Sequence, residues 1–188
     1  MERAVRKDIA RLDEMCRGLI AGSPMLFIAT FSEDGRCDVS PRGGPPGFVS
    51  VLDDHRLAIP DATGNRRLDT LANVVATGRA VVIFVIPGRD TTLRVNGGAR
   101  VTARPDLLGR LAPVGKPPRT AVVVRAEEVY AHCAKSFVRS RLWDPSTWPD
   151  PAGLPSPAEV SVAHQGHSDW TVPQEERRQR ESLLHQID

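Results

Sequence analysis

The sequence predicts a mainly β protein with flanking helices, in which about seven strands form a closed or partly closed antiparallel barrel. Short runs rich in β-branched and aromatic residues recur along the chain, and turn signals separate most of them. Helical periodicity is confined to a few segments between these runs. Strands that are linked mostly by hairpins suit an antiparallel barrel better than a doubly wound parallel sheet.

The first quarter of the chain reads as a helix followed by a hairpin. Residues 4–20 place apolar side chains at intervals of three and four, which predicts an amphipathic helix. Residues 25–31 predict a strand, and the Ser-Glu-Asp-Gly sequence at 32–35 predicts a tight turn. A second strand at 36–40 completes the predicted hairpin.

Two further strands and a helix follow. The strands are the short apolar runs at 48–52 and 57–59, which are joined by a polar turn. The helix opens at Asn65 and is broken by Gly78. The residues that recur at helical spacing are Leu68, Leu71 and Val75.

The second half of the barrel contains the most apolar run of the chain. Residues 80–86 are continuously hydrophobic, which predicts a central strand that is buried on both faces. Residues 91–95 and 99–103 flank the Asn96-Gly97-Gly98 sequence, which is a strong turn signal. We therefore expect another hairpin there.

The remaining elements lead into a proline-rich tail. One or two helical turns are predicted at 105–111, a strand from residue 120, and a short helix at 132–143. The prolines between 145 and 157 predict a segment without regular structure, and 174–187 predicts a charged helix. We expect two domains, a barrel at 1–148 and a tail at 149–188.

The tail is too apolar for a plain disordered extension. Its apolar residues are Val160, Val162, Trp170 and Val172. We hypothesise that the tail packs back on the barrel and helps to shape the substrate side of the binding site, with Trp170 as its anchor. A flexible extension that ends in one ordered helix is the alternative.

Composition and charge narrow the class of protein. The chain has 188 residues, of which 40% are hydrophobic, and this is enough for one substantial core. The formal net charge is +2 and the basic residues are scattered, which argues against nucleic acid as the main partner. No apolar run approaches the roughly 20 residues that span a bilayer, and no signal sequence is visible. We expect a cytoplasmic protein that does not engage a membrane.

Cysteine and histidine patterns do not predict a metal site. Cys16, Cys37 and Cys133 form no C-x-x-C pair, so neither a disulfide framework nor a structural zinc site is indicated. His164 and His167 have the i,i+3 spacing that metal sites use, but no third ligand is visible near them.

Two adjacent arginines suggest an anion site. Arg66 and Arg67 fall in the first turn of the predicted helix, where the helix dipole makes each cation unfavourable by about 0.3–1 kcal/mol. A bound phosphate would reverse that sign, because backbone N–H groups and guanidinium groups would converge on one anion. Two solvated arginines are the alternative, and local chemistry leaves both open.

Four motifs occur in a fixed order: S-P-R-G at 40–43, G-N-R-R-L-D at 64–69, T-L-R-V-N-G at 92–97 and H-C-A-K at 132–135. Together with the order of elements, they resemble the pyridoxamine 5'-phosphate oxidase-like FMN-binding split-barrel family, over residues 24–148. The resemblance implies a six- to seven-stranded antiparallel split β-barrel. It also implies an FMN-dependent oxidoreductase that acts on an unidentified small molecule.

The resemblance assigns residues to two parts of the cofactor. The strand edge that would hold the flavin ring and its ribityl chain carries Ser40, Arg42 and Gly43. The residues that would hold the FMN phosphate are Asn65, Arg66 and Arg67. Arg42 could instead be an ordinary surface arginine at a strand end.

Further assignments involve a second copy of the chain. In this family FMN lies at a homodimer interface, and Lys135 and Ser136 would reach the flavin of the second subunit. Thr92 and Arg94 lie in the strand that would run past the ring or the phosphate, and Trp143 would pack near the ring. Arg94 could also be a solvent-facing arginine, and Lys135 and Ser136 a plain helix start.

The family resemblance leaves the reaction open. Pyridoxamine phosphate oxidases end in an R-L-x-P signature, whereas this chain ends in L-L-H-Q-I-D, so we do not expect oxidation of pyridoxamine phosphate. A deazaflavin (F420) reductase on the same fold is one alternative, and a non-catalytic flavin or haem binder is another. No catalytic acid or base is assigned.

Overall fold

A computed structural model describes residues 8–62, 67–111, 116–165 and 169–185. The chain divides into two compact units, Met1–Trp143 and Asp144–Asp188. The first unit contains all the described strands, and the second contains short helices.

Seven strands form one sheet in the order β2-β1-β5-β6-β7-β4-β3, and all neighbouring strands are antiparallel. The strands are β1 (Met25–Phe31), β2 (Cys37–Gly43), β3 (Ser50–Val51), β4 (Arg56–Pro60), β5 (Arg79–Val85), β6 (Leu93–Thr102) and β7 (Ala121–Ala131). The sheet curls into a half-barrel, which confirms the predicted mainly β split barrel.

Helices flank the sheet and cover its buried side. The helices of the first unit are α1 (Glu14–Ala21), α2 (Asp69–Thr77), α3 (Pro105–Leu108) and α4 (Lys135–Ser140). Side chains such as Leu12, Ile20, Leu26, Val82 and Val124 are fully buried in one core between helices and sheet. Within the described ranges, no helix is long and apolar enough to cross a membrane.

The N-terminal helix is shorter than predicted. It begins at Glu14 rather than at residue 4, because Ile9 pairs with Val129 of the sheet as an isolated bridge. Asp13 then caps the helix, since its carboxylate accepts a hydrogen bond from the backbone N–H of Cys16 at 2.9 Å. Residues 4–7 lie outside the described ranges.

Two of the three apolar residues that recur at helical spacing do not face the core. The helix begins at Asp69, and Leu68 and Val75 are 64% and 74% exposed. Thr70 and Val74, four residues apart, face the core instead. The pattern failed because a threonine occupies an inward position that apolar periodicity does not count.

The predicted hairpin at 91–103 is also wrong, because β6 runs through it as one continuous strand. The Asn96-Gly97 step is a β-bulge, at which the pairing with β7 shifts by one residue and leaves Glu127 unpaired with β6. A Cβ atom at Gly97 would lie 1.8 Å from the carbonyl oxygen of Arg125. Glycine is therefore required at this position because two strands approach each other closely there, and not because the chain turns.

β5 is an interior strand, as predicted, but only one of its faces is fully buried. Ala80, Val82 and Phe84 face the core, and the residues between them are partly exposed. The exposed side continues onto β1 and β2 through the registered pair Phe27 and Ile83. We call this apolar surface the outer face, and its main residues are Phe27, Phe31, Val39, Val81 and Ile83.

The proline-rich tail has more regular structure than predicted. Pro145 and Pro151 each begin a 3₁₀ turn, and Pro157 begins helix α5 (Pro157–Gln165). Proline is favourable at the first position of a helix because the N–H that it lacks would have no partner there. Helix α6 (Val172–His185) confirms the charged helix that was predicted at 174–187, as far as residue 185.

Candidate functional site

Polar side chains gather where β2 meets the start of α2. The register pairs Ser40 with Ile28 and Arg42 with Leu26, so both predicted site residues lie on the same side of the sheet as the core. Asp38 shares that side, because strand side chains alternate. All three are half-buried.

Hydrogen bonds link these strand residues to the helix. Arg42 Nη2 donates to Thr70 Oγ1 at 3.3 Å, and Thr70 Oγ1 donates to Asp38 Oδ2 at 3.0 Å. Ser40 Oγ donates to the same Asp38 oxygen at 3.2 Å. We call Asp38, Ser40, Arg42 and Thr70 the β2–α2 cluster.

The segment that leads into α2 adds a second guanidinium group. Arg67 Nε donates to Asp69 Oδ2 at 2.8 Å, and both side chains are largely exposed. The hydrogen bond and charge of Asp69, and more weakly the charge of Asp38, raise the pKa of Arg67. Asp69 thus holds Arg67 beside the start of α2. Asn65 and Arg66, the other predicted phosphate residues, lie outside the described residues.

The start of α2 lacks a favourable cap. Leu68 occupies the N-cap position, and no side chain of the described residues caps the helix there. The positive end of the helix dipole thus lies beside Arg67 and the β2–α2 cluster. Such a donor set suits an anion, although Asp69 in the first turn offsets part of the positive charge.

Gly43 lies at the end of β2, one residue beyond Arg42, and is exposed. It pairs with Met25, so it belongs to the opposite side of the sheet from Ser40 and Arg42. A Cβ atom there would meet the carbonyl oxygen of Pro24 at 3.4 Å, which is an ordinary contact distance. The position therefore does not require glycine for the fold.

Arg94 also lies on the opposite side of the sheet from Ser40 and Arg42. It pairs with Ile83 across β5 and β6, and Ile83 belongs to the outer face. Within one chain, the structure thus separates the predicted site residues of β2 from Arg94.

A second cluster of polar side chains surrounds Arg94. Its Nε donates to Asn96 Oδ1 at 2.8 Å, and Asn96 Nδ2 in turn donates to Glu128 Oε2. The guanidinium group lies 5.8 Å from the centroid of the Tyr130 ring, a cation–π distance. Thr92, just before β6, is buried at 6% exposure.

The predicted residues near the end of β7 lie on or after a short helix. Lys135 and Ser136 are the first two residues of α4 and are exposed. Trp143 stacks on Phe137 with ring centroids 5.8 Å apart, and its Nε1 donates to the carbonyl oxygen of Arg89 at 2.9 Å. Trp143 therefore ties α4 to the connection between β5 and β6.

Sequence reasoning assigned no role to three polar residues that the structure brings forward, although one of them, His132, opens the H-C-A-K motif. Asp38 and Thr70 belong to the β2–α2 cluster, and a threonine four residues before the buried Val74 was the signal for Thr70. His132 packs against Tyr130, with ring centroids 5.1 Å apart. Its Nε2 atom is buried without a hydrogen-bond partner among the described residues.

A concave pocket with a volume of about 720 Å³ lies along the outer face. It is lined by residues of five strands, among them Phe31, Asp38, Val81, Asn96 and Glu128. The lining mixes apolar side chains with hydrogen-bonding groups, as small-molecule sites commonly do. Asp38 is among the lining residues, although its carboxylate accepts from Ser40 and Thr70 on the core side of the sheet.

The fold is that of a split-barrel protein, and the β2–α2 cluster is its candidate site for an anion. A family model for pyridoxamine 5'-phosphate oxidase matches residues 12–133. The chain therefore belongs to the pyridoxamine 5'-phosphate oxidase family. The match includes all seven strands and the β2–α2 cluster, and it ends before Lys135.

Solved structures support the same fold. A Lactobacillus delbrueckii protein described as a candidate pyridoxamine 5'-phosphate oxidase is 23% identical, with a TM-score of 0.51 over 65% of this chain and 95% of that one. HupZ from Group A Streptococcus is 17% identical, with a TM-score of 0.50 over 63% of this chain and 92% of that one. These identities support the fold alone. Comparison with curated proteins gave no significant match.

Proposed function

We propose that the protein is an FMN-dependent oxidoreductase that acts on a small molecule in the cytoplasm. The observation that carries this proposal is the hydrogen bond from Arg42 to Thr70, which joins the S-P-R-G motif on β2 to the first turn of α2, where Leu68 at the N-cap makes no side-chain capping bond. Members of this family commonly bind flavins. A bound flavin supplies the redox chemistry, and the residues of this chain bind and orient it.

The donors at the cluster fit a phosphate group. Arg42 uses one N–H on Thr70 and another on the carbonyl oxygen of Pro41, at 2.9 Å. Its remaining N–H groups have no partner among the described residues, so we assign them to the ligand. We assign the phosphate to Arg42, Arg67 and the adjacent Asn65 and Arg66. The carboxylates of Asp38 and Asp69 oppose an added anion, which keeps the attraction modest.

Ser40 has a different part in this proposal. Because its hydroxyl proton is directed to Asp38, its oxygen is left as an acceptor toward a ligand. An acceptor suits a ribityl hydroxyl or a flavin N–H better than a phosphate oxygen. We therefore assign Ser40 to the ribityl chain or the ring, and Arg42 to the phosphate side.

A homodimer completes the proposed site. The outer face exposes Phe27, Phe31 and Val39 at 37%, 44% and 64%, beside Val81 and Ile83. A contiguous apolar surface of this kind is expected to be covered by another chain. Arg94 of the same chain faces away from the β2–α2 cluster, so we assign the Arg94 and Lys135 of the flavin site to a second copy on the family resemblance.

Sedimentation of the purified protein tests the homodimer. We expect dimers at micromolar concentration and loss of FMN as dilution produces monomers, because each flavin site needs both chains. Replacement of Val81 by aspartate should favour monomers, since it places a charge within the outer face. A monomer that retains FMN at sub-micromolar concentration would contradict the homodimer.

Double replacement of Arg66 and Arg67 by alanine tests the phosphate assignment. Charge-assisted hydrogen bonds contribute roughly 1.5–3 kcal/mol each, so FMN should bind at least about tenfold more weakly, as measured by calorimetry. Riboflavin, which lacks the phosphate, should be nearly unaffected. A matched control replaces the exposed Arg177 and Arg180 of α6 and should change neither affinity.

Three other outcomes would correct the proposal. Equal losses for FMN and riboflavin would show that the arginines act on the fold. Unchanged FMN affinity would make them solvated surface residues. The absorption spectrum of the protein as purified distinguishes a flavin from a deazaflavin or a haem, and either of the latter would overturn FMN as the cofactor.

A further inference from the structure

Thr70 is a polar residue on the buried side of α2. It is 2% exposed and lies one turn before Val74, which is equally buried. Burial of a hydroxyl is unfavourable unless it is hydrogen-bonded, and valine would fill the same volume without that requirement. The hydroxyl is bonded on both sides, to Arg42 and to Asp38.

The direction of these two hydrogen bonds follows from their chemistry. A guanidinium group can only donate, so Thr70 Oγ1 must accept from Arg42. A threonine hydroxyl has one proton, and Asp38 Oδ2 at 3.0 Å is its acceptor. The three residues therefore form a hydrogen-bond relay that joins β2 to α2, in which Arg42 donates to Thr70 and Thr70 donates to Asp38.

This hydrogen-bond relay restrains the long and otherwise flexible side chain of Arg42. Arg42 is half-buried on an edge strand, and its other bond to protein goes to the carbonyl oxygen of its neighbour Pro41. The bond to Thr70 therefore connects the guanidinium group to a second element. Ordering an arginine before a ligand arrives lowers the entropy cost of binding.

We propose that Thr70 is a positioning residue for the cofactor phosphate, which holds Arg42 against the start of α2 with Asp38 as the final acceptor. This inference rests on the proposed function, because Arg42 acts there on the phosphate. Because Thr70 is 2% exposed, we assign it no direct contact with the ligand. Its effect should therefore be specific to phosphate-bearing ligands and should depend on Arg42.

Thr70→Val tests this assignment by removing the hydroxyl at nearly constant volume. We expect FMN to bind about tenfold more weakly and riboflavin to change by less than about twofold, as measured by calorimetry. Thr70→Ser, which restores the hydroxyl, should recover most of the affinity. Thr77→Val is the matched control, because among the described residues the hydroxyl of Thr77, on the same helix, bonds only the carbonyl oxygen of Asn73, at 2.8 Å.

A double-mutant cycle with Arg42→Ala provides the decisive readout. If Thr70 acts through Arg42, Thr70→Val should have no further effect on FMN once Arg42 is alanine. Equal weakening of FMN and riboflavin, or an undiminished effect without Arg42, would show a structural role instead. Thr70→Ala replaces the valine variant if thermal unfolding shows that valine disrupts the fold.

The outcomes also separate this inference from the proposed function. Wild-type protein that prefers FMN to riboflavin, together with a valine variant of equal preference, would overturn the role of Thr70 alone. Wild-type protein without any preference for FMN would overturn both.

Discussion

Each unit of the chain has a carboxylate at the centre of a hydrogen-bond network, and the two networks end differently. In the tail, Glu175 is fully buried and accepts from Trp170 Nε1 at 3.0 Å and from Gln179 Nε2 at 2.9 Å. Arg178 donates to both of its oxygens, at 2.7 and 2.5 Å. The acceptors of Glu175 are thus occupied by neighbours within the tail.

The network of the barrel remains open. Asp38 is half-buried and accepts from two hydroxyl groups, those of Ser40 and Thr70. Thr70 leads on to Arg42, whose remaining N–H groups have no partner among the described residues. A closed network, such as that of Glu175, stabilises a fold. An open network with unused donors at a helix start, such as that of Asp38, is a candidate binding site.

Replacement of Glu175 by alanine should have the largest effect on folding. It removes the acceptor of four side chains, those of Trp170, Arg178, Gln179 and Ser161, and leaves Arg178 without its partner. We expect α5 and α6 to lose their helical structure, which circular dichroism would show as a partial loss of helical signal. Glu176→Ala, at an exposed neighbouring position, is the control and should leave the signal intact.

Acid should unfold the tail for the same reason. The hydrogen bond from Arg178, followed by those of Gln179, Ser161 and Trp170, holds the pKa of Glu175 well below its usual value of about 4.3. Its stabilising effect is therefore complete above that value and is lost as the pH falls through the lower pKa of the folded state. Helical signal that falls below about pH 4 in the wild type, but not in Glu175→Gln, would support this account. A tail that ignores acid would contradict it.

Replacement of Asp38 by alanine should affect folding much less. Two neutral hydroxyl donors lose their acceptor at a partly exposed position, so the free energy of unfolding should fall by about 1 kcal/mol. Urea denaturation would measure this change, with the exposed Glu33→Ala as a control. A loss as complete as that expected for Glu175 would mean that the open network is structural too.

Local patterns were sufficient for most strands but not for their pairing. Runs such as residues 25–31 alternate or remain apolar over the length of a strand. Such a pattern can be recognised from residues that are neighbours in the sequence. The Asn96-Gly97 step looks like a turn because the same residues serve turns and bulges. Only the approach of Arg125 on β7 decides between them, and that contact joins residues distant in sequence.

The candidate site was predictable to a similar extent. Ser40 and Arg42 follow from a motif, and the structure brings Arg42 to α2. Thr70 and Asp38 were not predicted, because a single buried threonine breaks the apolar pattern without indicating what it bonds. The assignment of Arg94 and Lys135 depends on a second chain, so it remains a prediction.

The prediction with the smallest expected effect on cofactor retention concerns the tail as a whole. The indole N–H of Trp170 is bonded to Glu175 within the tail, so it is not available to a flavin. Any effect of the tail on the flavin would therefore come from the exposed apolar surface of the tail, which includes the 40% exposed ring of Trp170. Truncation after Pro155 removes both tail helices and should leave a dimer that keeps FMN. If the tail shapes the substrate side of the site, flavin fluorescence and quenching by a soluble quencher should change, because solvent would reach the ring. Unchanged spectra, quenching and turnover would show instead that the closed network stabilises a tail with no part in the site.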